Sequence, residues 1–158
     1  MNLKNPLSWL ALGFGSGLSP VAPGTAGSIF ALAIYYFFFF ENIVEWFDHL
    51  VFISFVVLSF FVGLYIYPKT VKEQNDPGSF VWDEFVGMWV ACIPLAIIDH
   101  SLQWLIIAFV LFRIFDIWKP LGIKKMDSKH GAFYVMIDDV LAGIFSGVLV
   151  IFLSYFLI

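Results

Sequence analysis

Charge is scarce in this chain. Of 158 residues only 13% are charged, and the 8 Lys and Arg against 12 Asp and Glu leave a net charge of −4. A soluble domain carries about 25% charged residues, so half a water-facing surface is missing. The shortage of clustered base excludes a general nucleic-acid binder, whose affinity for a phosphate backbone is supplied by Lys and Arg. Cysteine is nearly absent as well, and the lone Cys92 cannot close an internal disulfide. With Ile98 rather than Arg six positions on, Cys92 cannot belong to a Cys-x5-Arg phosphatase cradle. No Ser stands in a G-x-S-x-G elbow, and Asp116 is followed by Ile117 and Trp118, not by the second Asp of a D-x-D pair. No cleaved leader is expected at the N-terminus, where a single Lys4 precedes a glycine-rich stretch with no apolar core.

Apolar residues fill the space that charge leaves. They make up 61% of the chain, and 20 of them are Phe, a composition that reads as an all-α, polytopic membrane bundle forming a single domain over 1–158. Apolar runs cover 26–40, 50–67, 85–98, 102–112 and 140–158. Only the second and last approach the roughly 20 residues that a 30 Å hydrocarbon core requires. Either the shorter helices continue beyond the hydrocarbon as polar, functional ends, or some are re-entrant. The first reading is favoured, because Arg113 and Asp116 follow the fourth run with nothing to stop the helix before Pro120. Five helices is the resulting count, with four as the alternative. All Lys and Arg fall at Lys4, within 68–84 or within 113–139, and none at 41–49 or 99–101. The positive-inside rule then places the N-terminus and both basic segments in the cytoplasm. Trp46, Trp82, Trp104 and Trp118, near run ends, are expected in an interfacial belt, and Glu41, Glu45 and Asp48 in a solvated outer loop.

The costly polar residues gather at the basic side: Asp83 and Glu84 before the third run, Arg113 and Asp116 after the fourth, Asp138 and Asp139 before the fifth. Five carboxylates at one level of a bundle repel one another unless cations intervene. A hard divalent ion meets that need, since Mg²⁺ takes oxygen ligands and is held by one or two carboxylates plus substrate phosphate. The competing explanation is a structural ion-pair network in which Arg113 and Lys119 neutralise Asp116 at spacings of three. A second constellation runs from Gly13 to Ser28, rich in glycine and hydroxyls and opening the first run. It suits an anion at a helix N-terminus, or equally a re-entrant turn or a close-packing face; the G-K-[ST] of a Walker A loop is absent. Gly143 and Gly147 form a G-x-x-x-G pair that reads as helix packing. Lys124, Lys125 and Lys129 fit either anionic headgroups or topology, and His130 either a proton carrier or an ordinary loop residue.

Four ordered strings, GFGSGLSP at 13–20 with PGTAGS at 23–28, VWDEFVGMW at 81–89, FRIFDIWKP at 112–120 and MIDDVLAG at 136–143, closely resemble the bacterial phosphatidylglycerophosphatase A family. The resemblance covers nearly the whole chain. It implies an inner-membrane, Mg²⁺-dependent phosphatase, facing the cytoplasm, that converts phosphatidylglycerophosphate to phosphatidylglycerol. The family's motif acids correspond to Asp83, Glu84, Asp116, Asp138 and Asp139, and its Arg, Lys and Thr to Arg113, Lys119 and Thr25. On that footing Glu84, Asp116 and Asp139 are expected to bind Mg²⁺, and Asp83 or Asp138 to serve as nucleophile or base. Arg113 and Lys119 would meet phosphate oxygens, and Gly24, Thr25 and Ser28 the second phosphate or the glycerol, with His130 as a further catalytic candidate. The 120–135 segment departs from the family pattern, lacking a Pro near Gly122 and a glycine-rich run after His130. Two rival classes are set apart by pattern. A CDP-alcohol phosphotransferase-like enzyme would carry D-x-x-D-G-x-x-A-R, whereas Val140-Leu141-Ala142-Gly143 follows Asp138-Asp139. A small cation transporter would place ionisable residues mid-span.

Overall fold

The computed structural model describes residues 1–71, 78–98, 101–120, 123 and 131–157, and every regular element among them is helical. A short helix α1 (Pro6–Ala11), capped by the Asn5 side chain accepting from the Leu7 N–H at 3.1 Å, leads into a 3-10 segment, Gly13–Leu18. Helix α2 (Pro23–Tyr35) starts on a proline, whose fixed φ suits a first helical position, and continues through a π-helical turn, Tyr36–Phe40. There follow α3 (Trp46–Thr70), α4 (Trp82–Cys92) with a 3-10 extension Ile93–Ala96, α5 (Leu102–Trp118) and α6 (Ala132–Leu157).

Neighbouring contacts fix the directions of travel. The Tyr35 ring near the end of α2 lies 5.2 Å from Phe52 near the start of α3. The Trp82 indole donates to the Ser59 carbonyl at 2.9 Å, while Phe55 meets Trp89 at 4.7 Å, so α4 descends as α3 ascends. Gly87 and Pro94 of α4 face Gly143 and Gly147 of α6 in the same order, and α6 therefore runs parallel to α4. Helix α5 opposes both: Phe112 packs on Gly87 in the middle of α4, and Asp116 near the end of α5 interacts with Glu84 in the first turn of α4. Thus α2, α4 and α6 begin at the end of the bundle where α3 and α5 finish.

Three of these helices, Pro23–Phe40, Trp46–Thr70 and Ala132–Phe156, are long and apolar enough to cross a membrane. The first gains its length at its start, three residues before the apolar run, and its π-helical turn carries it to the end of the run at Phe40. Helix α4 has only 11 residues, about 16 Å at 1.5 Å per residue. It is nevertheless apolar on all sides, with Phe85, Val86, Gly87, Met88 and Trp89 all buried, because α2, α3, α5 and α6 surround it. The outer surface is apolar instead of charged: Phe37, Leu58, Phe61, Val148 and Phe152 all stand exposed, as lipid-facing positions do.

Two sequence expectations need correction. Trp82 and Trp104 are 7% and 1% exposed and belong to the core, where Trp82 is tied to Ser59, whereas Trp46 and Trp118, at 74% and 76%, remain free for an interface. Asp48 is not simply solvated. Its Oδ2 accepts from the N–H groups of Glu45 at 2.9 Å and Val44 at 3.1 Å and closes a capping box at the start of α3. The G-x-x-x-G expectation holds: a side chain at Gly143 would strike the Gly87 carbonyl, and one at Gly147 would come within 3.0 Å of Pro94.

Candidate active site

Helix α4 brings Asp83 and Glu84 in its first turn, where unpaired N–H groups favour negative charge. Its entry is pinned by the Val81 N–H donating to the Ala11 carbonyl at 2.9 Å. Asp83 Oδ1 accepts from the Glu84 N–H at 3.0 Å. Asp139 arrives from the second turn of α6, and the tight glycine contact between α4 and α6 keeps it close. Carboxylate oxygens of Asp83, Glu84 and Asp139 lie within 4.8 Å of one another. Asp83 and Asp139 are buried, and Glu84 Oε2 is a buried oxygen with no hydrogen-bond partner. Asp116 interacts electrostatically with both Glu84 and Asp139. A buried acceptor left without a donor costs about 1–3 kcal/mol, so three clustered acids with an orphan oxygen make a donor set suited to a hard cation.

Cationic side chains border the group. Helix α5 does run on past its apolar stretch, carrying Arg113 and Asp116 before it ends at Lys119, whose left-handed φ of 49° precedes Pro120. Arg113 Nη1 bonds Asp116 Oδ2 at 2.8 Å and donates to Ser28 Oγ at 3.1 Å, while Ser28 Oγ donates to the Gly24 carbonyl at 2.9 Å. Its Nε is buried without a partner. The i, i+3 ion pair anticipated from the spacing is therefore present at Arg113. Lys119 also pairs, its αL turn bringing Nζ 2.6 Å from Asp138 Oδ2.

The start of α2 completes the cluster. A side chain at Gly24 would collide with Glu84 Oε1 and approach Arg113 Nη2 at 3.4 Å. Glycine is thus what lets the first turn of α2, with its unpaired N–H groups, press against an acid and a base together. Thr25 lies beside Arg113 on the outer side. Ser28 is fully buried and orients Arg113. Elsewhere in the glycine-rich stretch the reason is packing, since side chains at Gly17 and Gly27 would strike Ser79 and Val81. His130 lies outside the described residues, as do Lys124, Lys125 and Lys129.

All four ordered sequence strings therefore meet at one end of the bundle, and the family of the chain is decided by comparison. A sequence model of the family described as phosphatidylglycerophosphatase A matches residues 9–154. The chain belongs to the phosphatidylglycerophosphatase A family. It is 40% identical to phosphatidylglycerophosphatase A of Escherichia coli (strain K12) over 158 residues, covering 98% of this chain and 87% of that protein. It is also 40% identical to the protein of the same name from Haemophilus influenzae, over 100% of this chain and 94% of the relative. A putative phosphatidylinositol-3-phosphatase of Bacteroides thetaiotaomicron is 41% identical over 89% of each chain. No solved structure matches. Membership makes the chain a phosphatase.

Within this phosphatidylglycerophosphatase A fold the grouping of acids differs from the division expected from sequence. Asp83 stands in the tight three-acid group with Glu84 and Asp139, Asp116 is bonded to Arg113 beside it, and Asp138 is bonded to Lys119. Two features escaped the sequence reading. One is the contact between Gly24 and Glu84, which joins segments far apart in the chain. The other is a cleft along α5 lined by Val110, Ile114, Ile117 and Trp118, with Arg113 and Thr25 as its polar residues. Its signal, apolar residues at i, i+4 and i+7, was hidden because α5 is apolar on every face.

Proposed function

We propose that this chain hydrolyses the terminal phosphomonoester of phosphatidylglycerophosphate, giving phosphatidylglycerol and phosphate, at the cytoplasmic face of a bacterial inner membrane. The observation that carries the proposal is the three-acid group of Asp83, Glu84 and Asp139 beside Arg113 at one end of an apolar bundle. A lipid phosphomonoester keeps its chains in the leaflet and its headgroup at the interface, the depth at which helix ends stand.

The orphan Glu84 Oε2 and the neighbouring carboxylates fit a divalent cation. Asp83, Glu84 and Asp139 would hold Mg²⁺, with Asp116 facing the same position; once bound, the ion neutralises charge on phosphate oxygens. Arg113, held by Ser28 and Asp116, would meet phosphate oxygens. The first turn of α2, including Thr25, offers N–H and hydroxyl donors to the second phosphate or the glycerol. Asp138 accepts the proton of an attacking water. As the new P–O bond forms, the ester P–O bond breaks and that proton passes to the departing glycerol oxygen. Lys119, with Nζ 2.6 Å from Asp138 Oδ2, holds that carboxylate in place. The concentration of positive residues on the site side supports the cytoplasmic orientation.

Purified protein in detergent should release phosphate from phosphatidylglycerophosphate with Mg²⁺ present, and lose that activity in EDTA. Asp83→Asn and Asp139→Asn should each lower turnover at least about 100-fold. Full turnover by both variants, or Mg²⁺-independent release, would overturn the reading. The name of the Bacteroides relative gives a specific reason to run phosphatidylinositol 3-phosphate alongside; faster release from that lipid would reassign the headgroup but not the chemistry. Ion flux in liposomes without hydrolysis would mark a transporter.

A further inference from the structure

Helix α4 carries two of the three clustered acids, yet it is too short for the membrane to place it. Its 11 residues rise about 16 Å, and the four of its 3-10 extension about 8 Å more, against a hydrocarbon core of roughly 30 Å. Matching of apolar length to bilayer thickness, which holds a spanning helix at its depth, has little grip on it. Helix α2 with its π-helical turn, at 18 residues, and α3, at 25, are long enough to be held that way. Two tryptophans connect the short helix to these long ones. Trp82, the first residue of α4, donates its indole N–H to the Ser59 carbonyl of α3 at 2.9 Å, and Trp89 donates to the Ala31 carbonyl of α2, also at 2.9 Å. The two stand seven residues apart, two turns along one face of α4, both buried and with their rings edge to face at 6.1 Å.

We propose that Trp82 and Trp89 are positioning residues, which transfer the depth of α2 and α3 to α4 and so fix the level at which Asp83 and Glu84 meet Asp139. The inference rests on the assignment of the three acids above and adds what holds them in register. Its first support is the pair of acceptors. They belong to two different helices, so α4 cannot slide without straining both bonds, and a slide of one residue is 1.5 Å, more than the 1 Å misplacement that costs on the order of 100-fold in rate. The second is adjacency. Asp83 and Glu84 directly follow Trp82, whose ring also stacks on Phe85 at 5.6 Å, so a shift of the indole is a shift of the acids. The third is a contrast with α5, where Trp104 is equally buried but its indole N–H has no partner. Burial alone does not bring an indole to a carbonyl in this bundle.

Removing the donors while keeping the packing tests this. The benzothiophene analogue of tryptophan exchanges the indole N–H for sulfur at nearly the same shape, and it is placed singly at Trp82, Trp89 and Trp104, beside Trp82→Phe and Trp89→Phe. At Trp82 or Trp89 the analogue should lower kcat for phosphatidylglycerophosphate about tenfold and raise the Mg²⁺ midpoint about tenfold. KM for the lipid should stay within about twofold, and the two replacements together should lower kcat about 100-fold. At Trp104 every parameter should stay within about twofold. A lower Tm with kcat and Mg²⁺ midpoint unchanged would show a merely structural role and overturn the proposal, as would equal effects at all three positions. A second measurement needs neither turnover nor metal. In Mg²⁺-free detergent, hydrogen exchange of the backbone amides at 86–92 should be at least about tenfold faster with the analogue at Trp82 or Trp89, with those at 140–150 of α6 unchanged. Unchanged exchange in α4 would refute the two struts even in an active enzyme. Faster exchange in a protein that releases no phosphate from the lipid would uphold the struts and fail the assigned reaction alone.

Discussion

Gly24→Ala separates the stability of this protein from its activity. Gly24 is the second residue of α2, and alanine in a helix is favoured over glycine by up to about 1 kcal/mol. On backbone grounds alone the variant should be as stable as the parent or more so. The added methyl, however, would overlap Glu84 Oε1 and sit 3.4 Å from Arg113 Nη2. Glu84 Oε1, the nearer partner and the end of a side chain, must retreat by about 1 Å, a displacement that costs on the order of 100-fold in rate when it misplaces a reacting group. That corresponds to about 2.7 kcal/mol of transition-state stabilisation. The assay is phosphate release at saturating lipid and Mg²⁺, beside thermal unfolding of the same detergent sample and a Mg²⁺ titration. Turnover should fall about 100-fold and the Mg²⁺ midpoint should rise, with Tm held or increased. Wild-type turnover at wild-type Mg²⁺ dependence would show that Glu84 needs no fixed position, and the assignment of the three-acid group would fail with it.

Other substitutions probe different contacts. Lys119→Met leaves Asp138 buried beside a vacant contact and should cost about 3–5 kcal/mol in detergent unfolding; adding Asp138→Asn should restore much of that stability and none of the activity. Gly143→Ala places a methyl against the Gly87 carbonyl and 2.9 Å from Val90 Cβ, and overpacking of this kind should lower stability by about 1–3 kcal/mol. An unchanged Tm would show that α4 and α6 do not approach as described. Ser28→Ala removes the oxygen that Arg113 Nη1 donates to and should raise KM for the lipid more than it lowers kcat, since the charge of Arg113 remains while its aim loosens; an equal fall in both parameters would contradict a positioning role.

How much could be read beforehand differed between elements. The run from Leu102 through Asp116 was legible as one helix because nothing before Pro120 breaks it, and that alone carried Arg113 and Asp116 to the correct end of the bundle. The convergence of Asp83, Glu84 and Asp139 followed from counting run ends on one side. Their finer grouping did not, because the partner of each acid is chosen by tertiary contact: Lys119 reaches Asp138 only through its left-handed turn, and Gly24 meets Glu84 only once α2 and α4 are packed. The tryptophans misled for a related reason. Proximity to a run end places a residue at a certain depth but does not say whether it faces inward, and Trp82 faces inward to reach Ser59.

The order in which the acids are delivered has a consequence for biosynthesis. Asp83 and Glu84 stand at the head of a short central helix, and Asp139 belongs to α6, which follows them in the chain. A nascent chain that has inserted everything up to α5 already holds two of the three carboxylates and the arginine, but not yet Asp139. The three-acid group is therefore completed only when the glycine seam between α4 and α6 closes.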